Sequence, residues 1–499
     1  MKERLMQRLT SLFAAALLCG CAVGPDFRVP APPDDAGYVP GPQPVATVAA
    51  DSADSSAQSH AQTLAAGADV PAQWWTLFRS PALDATIRSA LAASPTLAQA
   101  RARLLEAQEN LAARSGATRW PAIDAKLDTS RQQVDFQSLG ITAIPSPGPF
   151  TLYGATVQVS YALDLFGGQR RELEGLQAVV DYQRYELEAA RLALAANVAT
   201  AAIREAGLRA QLADTAAMVA AQQRQLGITE ARLREGGVAR VELQRRRAEL
   251  AQTRALVPAL QRQLDATRHQ LAVYTGQTPA SAALPEFHLD ALHLPDTLPV
   301  SLPATLARRR PDIRAAEALL HQASANIGVA TANLYPQVTL SASGGTQATA
   351  ARDLFSSLNV WSLAAGLVQP VFRGGELQAR KRAAEAAYEQ SLAAYRQAVL
   401  QGLQDVADAL RALEADAATL HERADGARQA RDTLAVVSEQ YRLGGVSQLA
   451  LLDAERQSRQ AALELAQARA DRLADSAALL QALGGGWWEE DAAMASAPR

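Results

Sequence analysis

Large aromatic side chains are scarce in this 499-residue chain, only 5% of it. That argues against a bulky globular core and favours close helix packing through its abundant Ala and Leu. Cysteine is scarcer still: Cys19 and Cys21 are the only two. The body therefore has no disulfide framework and no cysteine-based metal site. No interior stretch reaches the roughly 18 apolar residues that a membrane-crossing helix needs. A membrane β-barrel is not excluded by that, because its strands alternate and leave a much weaker signal. Charge of one sign is also missing. The formal net charge is −3, with none of the basic excess that nucleic acid demands, so no nucleic-acid partner is expected.

Constellations for catalysis are lacking as well. Of six histidines, His288 and His293 stand closest, in a Pro-rich stretch with no cysteine partner. There is no phosphate loop, zinc-protease helix or nucleophile elbow. Gly167-Gly168 and Gly374-Gly375 read as strand-to-helix joints rather than phosphate cradles. Neither an enzymatic activity nor a cofactor is expected.

What the chain does have begins with an export signal at residues 1–20. Lys2, Arg4 and Arg8 form its charged region and Leu9–Leu18 its apolar core. Leu18-Cys19-Gly20-Cys21 resembles a bacterial lipobox, with cleavage before Cys21 and lipid on its sulfur. Ala22 follows where an Asp would resemble an inner-membrane retention signal, so the outer membrane is the expected destination. Loss of residues 1–20 moves the net charge from −3 to −5.

Residues 21–80, rich in Pro, Ala, Asp and Ser, read as an extended, poorly ordered tether, ended by an aromatic anchor of Trp74, Trp75 and Phe78. Ser94-Pro95 opens a helix, and Pro121 ends it. Ile123, Ala125 and Leu127 then alternate with Asp124, Lys126 and Asp128 as a strand. After a loop, Ala155, Val157, Val159, Tyr161, Leu163 and Leu165 face one way, and Gly154, Thr156, Gln158, Ser160, Ala162 and Asp164 the other. At Phe166-Gly167-Gly168 the period changes without a linker. Leu173, Val180, Leu187, Leu194, Ala201 and Leu208 recur at sevens, the mark of a long helix packed on partner helices. This helix reads to about Leu226. A turn ends at Gly236-Gly237, and a return helix carries Leu243, Leu250, Val257, Leu264 and Leu271, with Pro258 expected to kink it.

The plan then repeats. Arg310-Pro311 matches Ser94-Pro95 and Tyr335-Pro336 matches Trp120-Pro121, at offsets of 216 and 215. Phe372-Arg373-Gly374-Gly375 repeats the strand-to-helix joint, a helix follows with Leu392, Val399, Val406, Leu413, Leu420, Ala427, Leu434 and Tyr441 at sevens, and Gly444-Gly445-Val446 repeats Gly236-Gly237-Val238. The expected organisation is two repeats, 81–275 and 305–485, joined by a linker at 276–304 and closed by a tail at 486–499. Strands are expected at about 121–135, 152–166, 335–346 and 359–372. The heptads alone would fit a dimeric coiled coil, and the strands alone a soluble sandwich. Four strands at matching places, behind an export signal and lipobox, favour a membrane barrel. Four strands cannot close one, because the smallest have about 8 and a membrane tolerates no open edge, so several chains must share it.

Cys21-Ala22-Val23-Gly24-Pro25-Asp26-Phe27 resembles the mature N-terminus of the NodT-type lipoprotein branch of TolC-like outer-membrane efflux factors. Leu306, Arg309-Arg310-Pro311-Asp312-Ile313, Ala316-Glu317, Ile327-Gly328 and Tyr335-Pro336 resemble its internal signature. The resemblance implies an α+β membrane protein: a trimeric transmembrane β-barrel with four strands per chain, continuing into a periplasmic α-helical barrel of coiled-coil hairpins. It implies a passive conduit for small molecules such as drugs or toxic compounds. Its partners would be outer-membrane lipid, a periplasmic adaptor and an inner-membrane pump. A type I protein-secretion channel and a non-channel structural lipoprotein are the alternatives. By the same resemblance, Asp453, Arg442 and Gln448 lie at the periplasmic aperture, and the turns at Gly236, Gly237, Gly444 and Gly445 contact the adaptor.

Overall fold

The heptad stripes form three of four long helices, which fall into two pairs of equal length. In the computed structural model, α3 (Gly168–Arg234) and α7 (Glu376–Arg442) have 67 residues each, and α4 (Arg240–Tyr274) and α8 (Gln448–Ala482) have 35 each. At 1.5 Å per residue the longer pair spans about 100 Å each. Val180, Leu194, Ala201 and Leu208 are buried along α3, and Val399, Val406, Leu413, Leu420 and Ala427 along α7. Helix α3 runs on to Arg234 rather than stopping near Leu226. Gly227 lies inside it with open space where a side chain would be, and one helical glycine costs only about 1 kcal/mol. Pro258 lies inside α4, whose span is continuous across it.

The structure describes residues 22–41, 44–50, 59–136, 140, 143, 145–356 and 359–488. The export signal at 1–20, the lipidation position Cys21 and the tail beyond residue 488 lie outside the described residues. Two compact units organise the chain. One comprises Met1–Val29, Arg103–Gln183 and Ala316–Tyr395, and the other Pro30–Ala102, Arg184–Ala315 and Arg396–Arg499.

The first unit holds one antiparallel sheet of β2 (Ala122–Gln132), β3 (Phe150–Leu163), β5 (Gln337–Ala348) and β6 (Asn359–Val368), in the order β2-β3-β5-β6. Strands β2, β3 and β6 end earlier than the expected 135, 166 and 372. Strand β3 stops at Leu163 because Asp164 turns to cap α3, accepting from Gln169 N at 3.1 Å and Arg170 N at 2.9 Å. Leu165 therefore lies beyond the strand face. Strand β6 stops at Val368, just before Gln369-Pro370, where proline supplies no N–H for a ladder.

The second unit is built on a core the alternation and heptads show only in part. Pro81 and Ser80 start α1 (Pro81–Ala93), with Ser80 Oγ accepting from Leu83 N; Pro95 starts α2 (Pro95–Arg119). Trp74 and Phe78 meet edge to face at 6.4 Å, and both are buried with Leu83, Ile87, Val198 and Leu480. The aromatic anchor thus docks as expected, each large side chain contributing about 1.5–3 kcal/mol.

The poorly ordered tether and the plain linker need correction. Residues 45–50 and 59–64 bond to one another, with Thr47 N donating to Gln62 O at 2.9 Å and Leu64 N to Val45 O at 2.8 Å. Within the expected linker, β4 (Thr297–Val300) pairs in parallel with β1 (Thr63–Ala66), and α5 (Pro303–Arg309) follows. Then comes α6 (Pro311–Ala332). Buried apolar residues drive this, since Leu64, Leu298 and Val300 all join the core. Prolines limit such elements to a few residues without preventing them.

Candidate functional site

Register decides which side chains share a face of the sheet. Ile123 lies opposite Val159, Val159 opposite Ala342, and Ala342 opposite Leu363. Two residues along, Ala125, Val157, Gly344 and Trp361 form a second row of the same face. Between them runs a row of the other face: Asp124, Gln158, Ser343 and Ser362, the two serines hydrogen-bonded at 2.8 Å. One face is apolar and the other polar. The apolar face is open, with Ile123 67%, Leu127 76%, Trp361 80% and Leu363 78% exposed. So large an uncovered apolar surface marks an interaction with lipid or protein. Among the described residues, β2 and β6 each pair on one side only, which leaves both outer edges without a strand neighbour.

The glycine turns of the second unit share one geometry. Gly236 N donates to Leu233 O at 3.1 Å and Gly237 N to Arg232 O at 2.8 Å. Gly444 N donates to Tyr441 O at 3.0 Å and Gly445 N to Gln440 O at 2.7 Å. Both are Schellman ends, and Gly236 and Gly444 take the left-handed backbone they require, φ 75° and 79°. Ser447 opens the return helix α8 by accepting from Ala450 N at 3.3 Å, with Gln448 as its first residue. Val241 and Leu443 lie exposed beside the turns, 75% and 69%. Arg442 bonds to Glu439 one turn back, 2.8 Å from Nε to Oε2. Asp453 takes Arg456 at 2.9 Å and Gln457 at 3.0 Å on its own helix. Within one chain, therefore, Asp453 and Arg442 do not meet each other. Each keeps a local partner and stays exposed.

The Arg309–Ile313 signature forms a structural knot. Arg310 Nε donates to Asp312 Oδ1 at 2.9 Å, and Nη1 donates to the carbonyls of Ala482 at 3.1 Å and Gly402 at 3.3 Å. Its Nη2 binds Asp405. Arg309 lies over Trp488, 4.7 Å from the ring centre, and Trp487 Nε1 donates to Arg309 O at 2.7 Å. The Trp487-Trp488 pair thus belongs to this packing.

A half-buried acidic cluster around the buried Arg472, in α7 and α8, escapes sequence reading. Arg472 is fully buried and donates to Thr47 Oγ1 at 2.9 Å and His60 O at 3.0 Å. Burial, and then the Asp475 carboxyl beside it, push Asp416 up to about 7, with Asp471 adding to the repulsion and Arg472 opposing it. The only signal was the four-residue spacing of Asp471 and Asp475, which places them on one helix face. A carboxyl raised this way favours folding below its unfolded pKa, and that contribution fades as pH rises towards 7. Asp416→Asn should therefore raise the melting temperature at pH 8 and flatten its dependence between pH 4 and 7. An unchanged pH profile would remove Asp416 from the titration.

Among the described residues, no group of three His, Cys, Asp or Glu side chains could hold a metal ion, and no helix is long and apolar enough to cross a membrane. The chain belongs to the Outer membrane efflux protein family, whose profile matches residues 86–277 and 302–485. It is 33% identical over 422 residues to the pyoverdine export outer membrane protein OpmQ of Pseudomonas putida, covering 83% of this chain and 88% of that one. It is 27% identical to nodulation protein T of Rhizobium leguminosarum bv. trifolii, covering 90% and 91%. The outer-membrane channel OprN superposes with a TM-score of 0.80 at 29% identity, over 94% of this chain and all of that one. The protein is an outer-membrane efflux component.

Proposed function

We propose that three copies of the chain close one transmembrane barrel, four strands from each, and continue into a periplasmic helical conduit built from α3, α4, α7 and α8. One observation carries this reading: among the described residues, the sheet has an uncovered apolar face, a polar face and two edges without a strand neighbour. In lipid an unpaired edge costs several kcal/mol per group, so the edges must meet those of other copies. The number three comes from the family resemblance, not from the strands. Native mass spectrometry in detergent should record a trimer. A stable monomer with the sheet intact would overturn the reading.

The conduit is passive and serves an inner-membrane pump through a periplasmic adaptor. The exposed Val241 and Leu443 beside the Gly236-Gly237 and Gly444-Gly445 turns support those turns as the adaptor contact. The pyoverdine exporter among the relatives supports a small-molecule cargo. Cys21 carries the lipid anchor.

The aperture is assigned to Asp453, Arg442 and Gln448. Around a threefold axis, Asp453 carboxylates would repel by several kcal/mol at an effective dielectric of about 20, which Arg456 on the same helix moderates. Divalent cations should block single-channel current, and Asp453→Ala should weaken that block. Equal block in the two proteins would leave Asp453 a solvated helix residue.

A further inference from the structure

Two motifs of the sequence, Gly24-Pro25-Asp26-Phe27 near the start and Ile327-Gly328 in α6, meet in the first unit. Val23 N donates to Phe166 O at 3.0 Å, at the joint between β3 and α3. Arg171, whose side chain is 7% exposed, reaches Asp26 at 2.7 Å, Val23 O at 3.3 Å and Gly24 O at 3.5 Å. Its remaining partner is Glu174 at 2.8 Å. Phe27 stacks on His321 with ring centres 4.4 Å apart, and His321 Nε2 bonds Glu174 at 2.9 Å. Burial opposes ionisation of Glu174, but Arg171 and His321 together hold it below the usual carboxylate range.

Glycines make room for this segment. A side chain at Gly167 would sit 2.6 Å from Ala22, and one at Gly24 would sit 2.5 Å from Gly328 Cα. Gly24 also holds φ 98°, a conformation other residues rarely adopt. A side chain at Gly328 would strike Arg171 Cγ at 2.6 Å. Without the segment, Arg171 would lose three of its four partners, and a guanidinium held at 7% exposure needs such partners.

We propose that Phe166, Gly167, Arg171, Glu174, His321 and Gly328 form a recognition cradle for the mature N-terminal peptide Ala22–Phe27, which fixes the anchored end at the strand-to-helix joint. The inference deepens the lipid-anchor reading of Cys21 and rests on it only for the lipid itself. An acyl group on Cys21 would start one residue before Ala22, about 3.8 Å of chain. The anchor is then seated against the base of the strands and does not hang on a long leash. Arg171 acts here as a positioning residue.

The test is trypsin cleavage after Arg28 in the full-length protein, with incorporation of radiolabelled palmitate measured in parallel. Wild type should resist cleavage. Gly24→Ala and Arg171→Met should be cut at least tenfold faster, and Asp26→Ala, which removes one exposed partner of Arg171, by an intermediate factor. Cys21→Ser should lose the label yet keep the protection, because the cradle reads the peptide. Wild type cut as fast as Gly24→Ala would overturn the cradle, whatever the labelling. Protection without any label in wild type would overturn the acylation of Cys21 and leave the cradle standing. If Gly24→Ala and Arg171→Met fail to fold, Asp26→Ala decides: cleavage at the wild-type rate refutes the cradle.

Discussion

Val159→Arg should keep the chain from inserting in the outer membrane, whereas Gln158→Arg should be accepted. The two positions are neighbours on β3 and differ in face. Val159 shares its row with Ile123, Ala342 and Leu363, all apolar. Gln158 shares its row with Asp124, Ser343 and Ser362. In the proposed barrel the first row meets lipid near mid-membrane and the second faces water. An arginine on the lipid face at the midplane costs about 2–4 kcal/mol, and the trimer would carry three of them. The lumen position pays no such penalty. The measurement is the amount of heat-resistant trimer recovered from outer-membrane fractions. Equal recovery of both variants would mean that the apolar face does not meet lipid.

That pairing of faces was legible in the chain, because period-two alternation needs no tertiary information. The heptads were legible for the same reason: Leu194, Leu208, Leu264 and Leu413 are buried where the sevens place them. The stripe loses its cover towards the turn, where Tyr441 is 39% exposed, since one chain alone supplies no further partner. Short elements were not legible. Strand β1 has four residues and β4 four, too few for a period, and they exist because Leu64 and Leu298 reach a common core. The aperture residues came from resemblance alone. One chain shows Asp453 bonded only locally, to Arg456 and Gln457, and the aperture assignment stays a proposal. The N-terminal cradle was hidden for another reason. Gly24 and Gly328 lie some three hundred positions apart, and nothing local announces that two glycines will touch.

Arg310→Met should lower stability, by less than the about 3–5 kcal/mol of a fully buried ion pair, because Asp312 and Asp405 are 45% and 33% exposed. The guanidinium is 12% exposed and spends its donors on two carboxylates, Asp312 and Asp405, and on two carbonyls, Gly402 O and Ala482 O. Burial works against its charge, but the two carboxylates more than offset that and hold the charged form. Those four acceptors belong to the start of α6, to α7 and to the last turn of α8, so a single side chain ties three elements of the second unit. Methionine fills a similar volume and satisfies none of the acceptors, leaving Asp312 and Asp405 without their shared cation. Arg310→Lys should recover little of the loss, because one ammonium cannot present the planar fork that reaches all four at once. Asp405→Asn should cost less than Arg310→Met, since the amide can still accept from Nη2 and Asp312 still neutralises the arginine. Thermal unfolding followed by helical circular dichroism checks the order: wild type most stable, then Asp405→Asn, then Arg310→Lys, then Arg310→Met. A melting curve for Arg310→Met that overlays wild type would show that the knot closes through Trp487, Trp488 and the apolar core without this side chain.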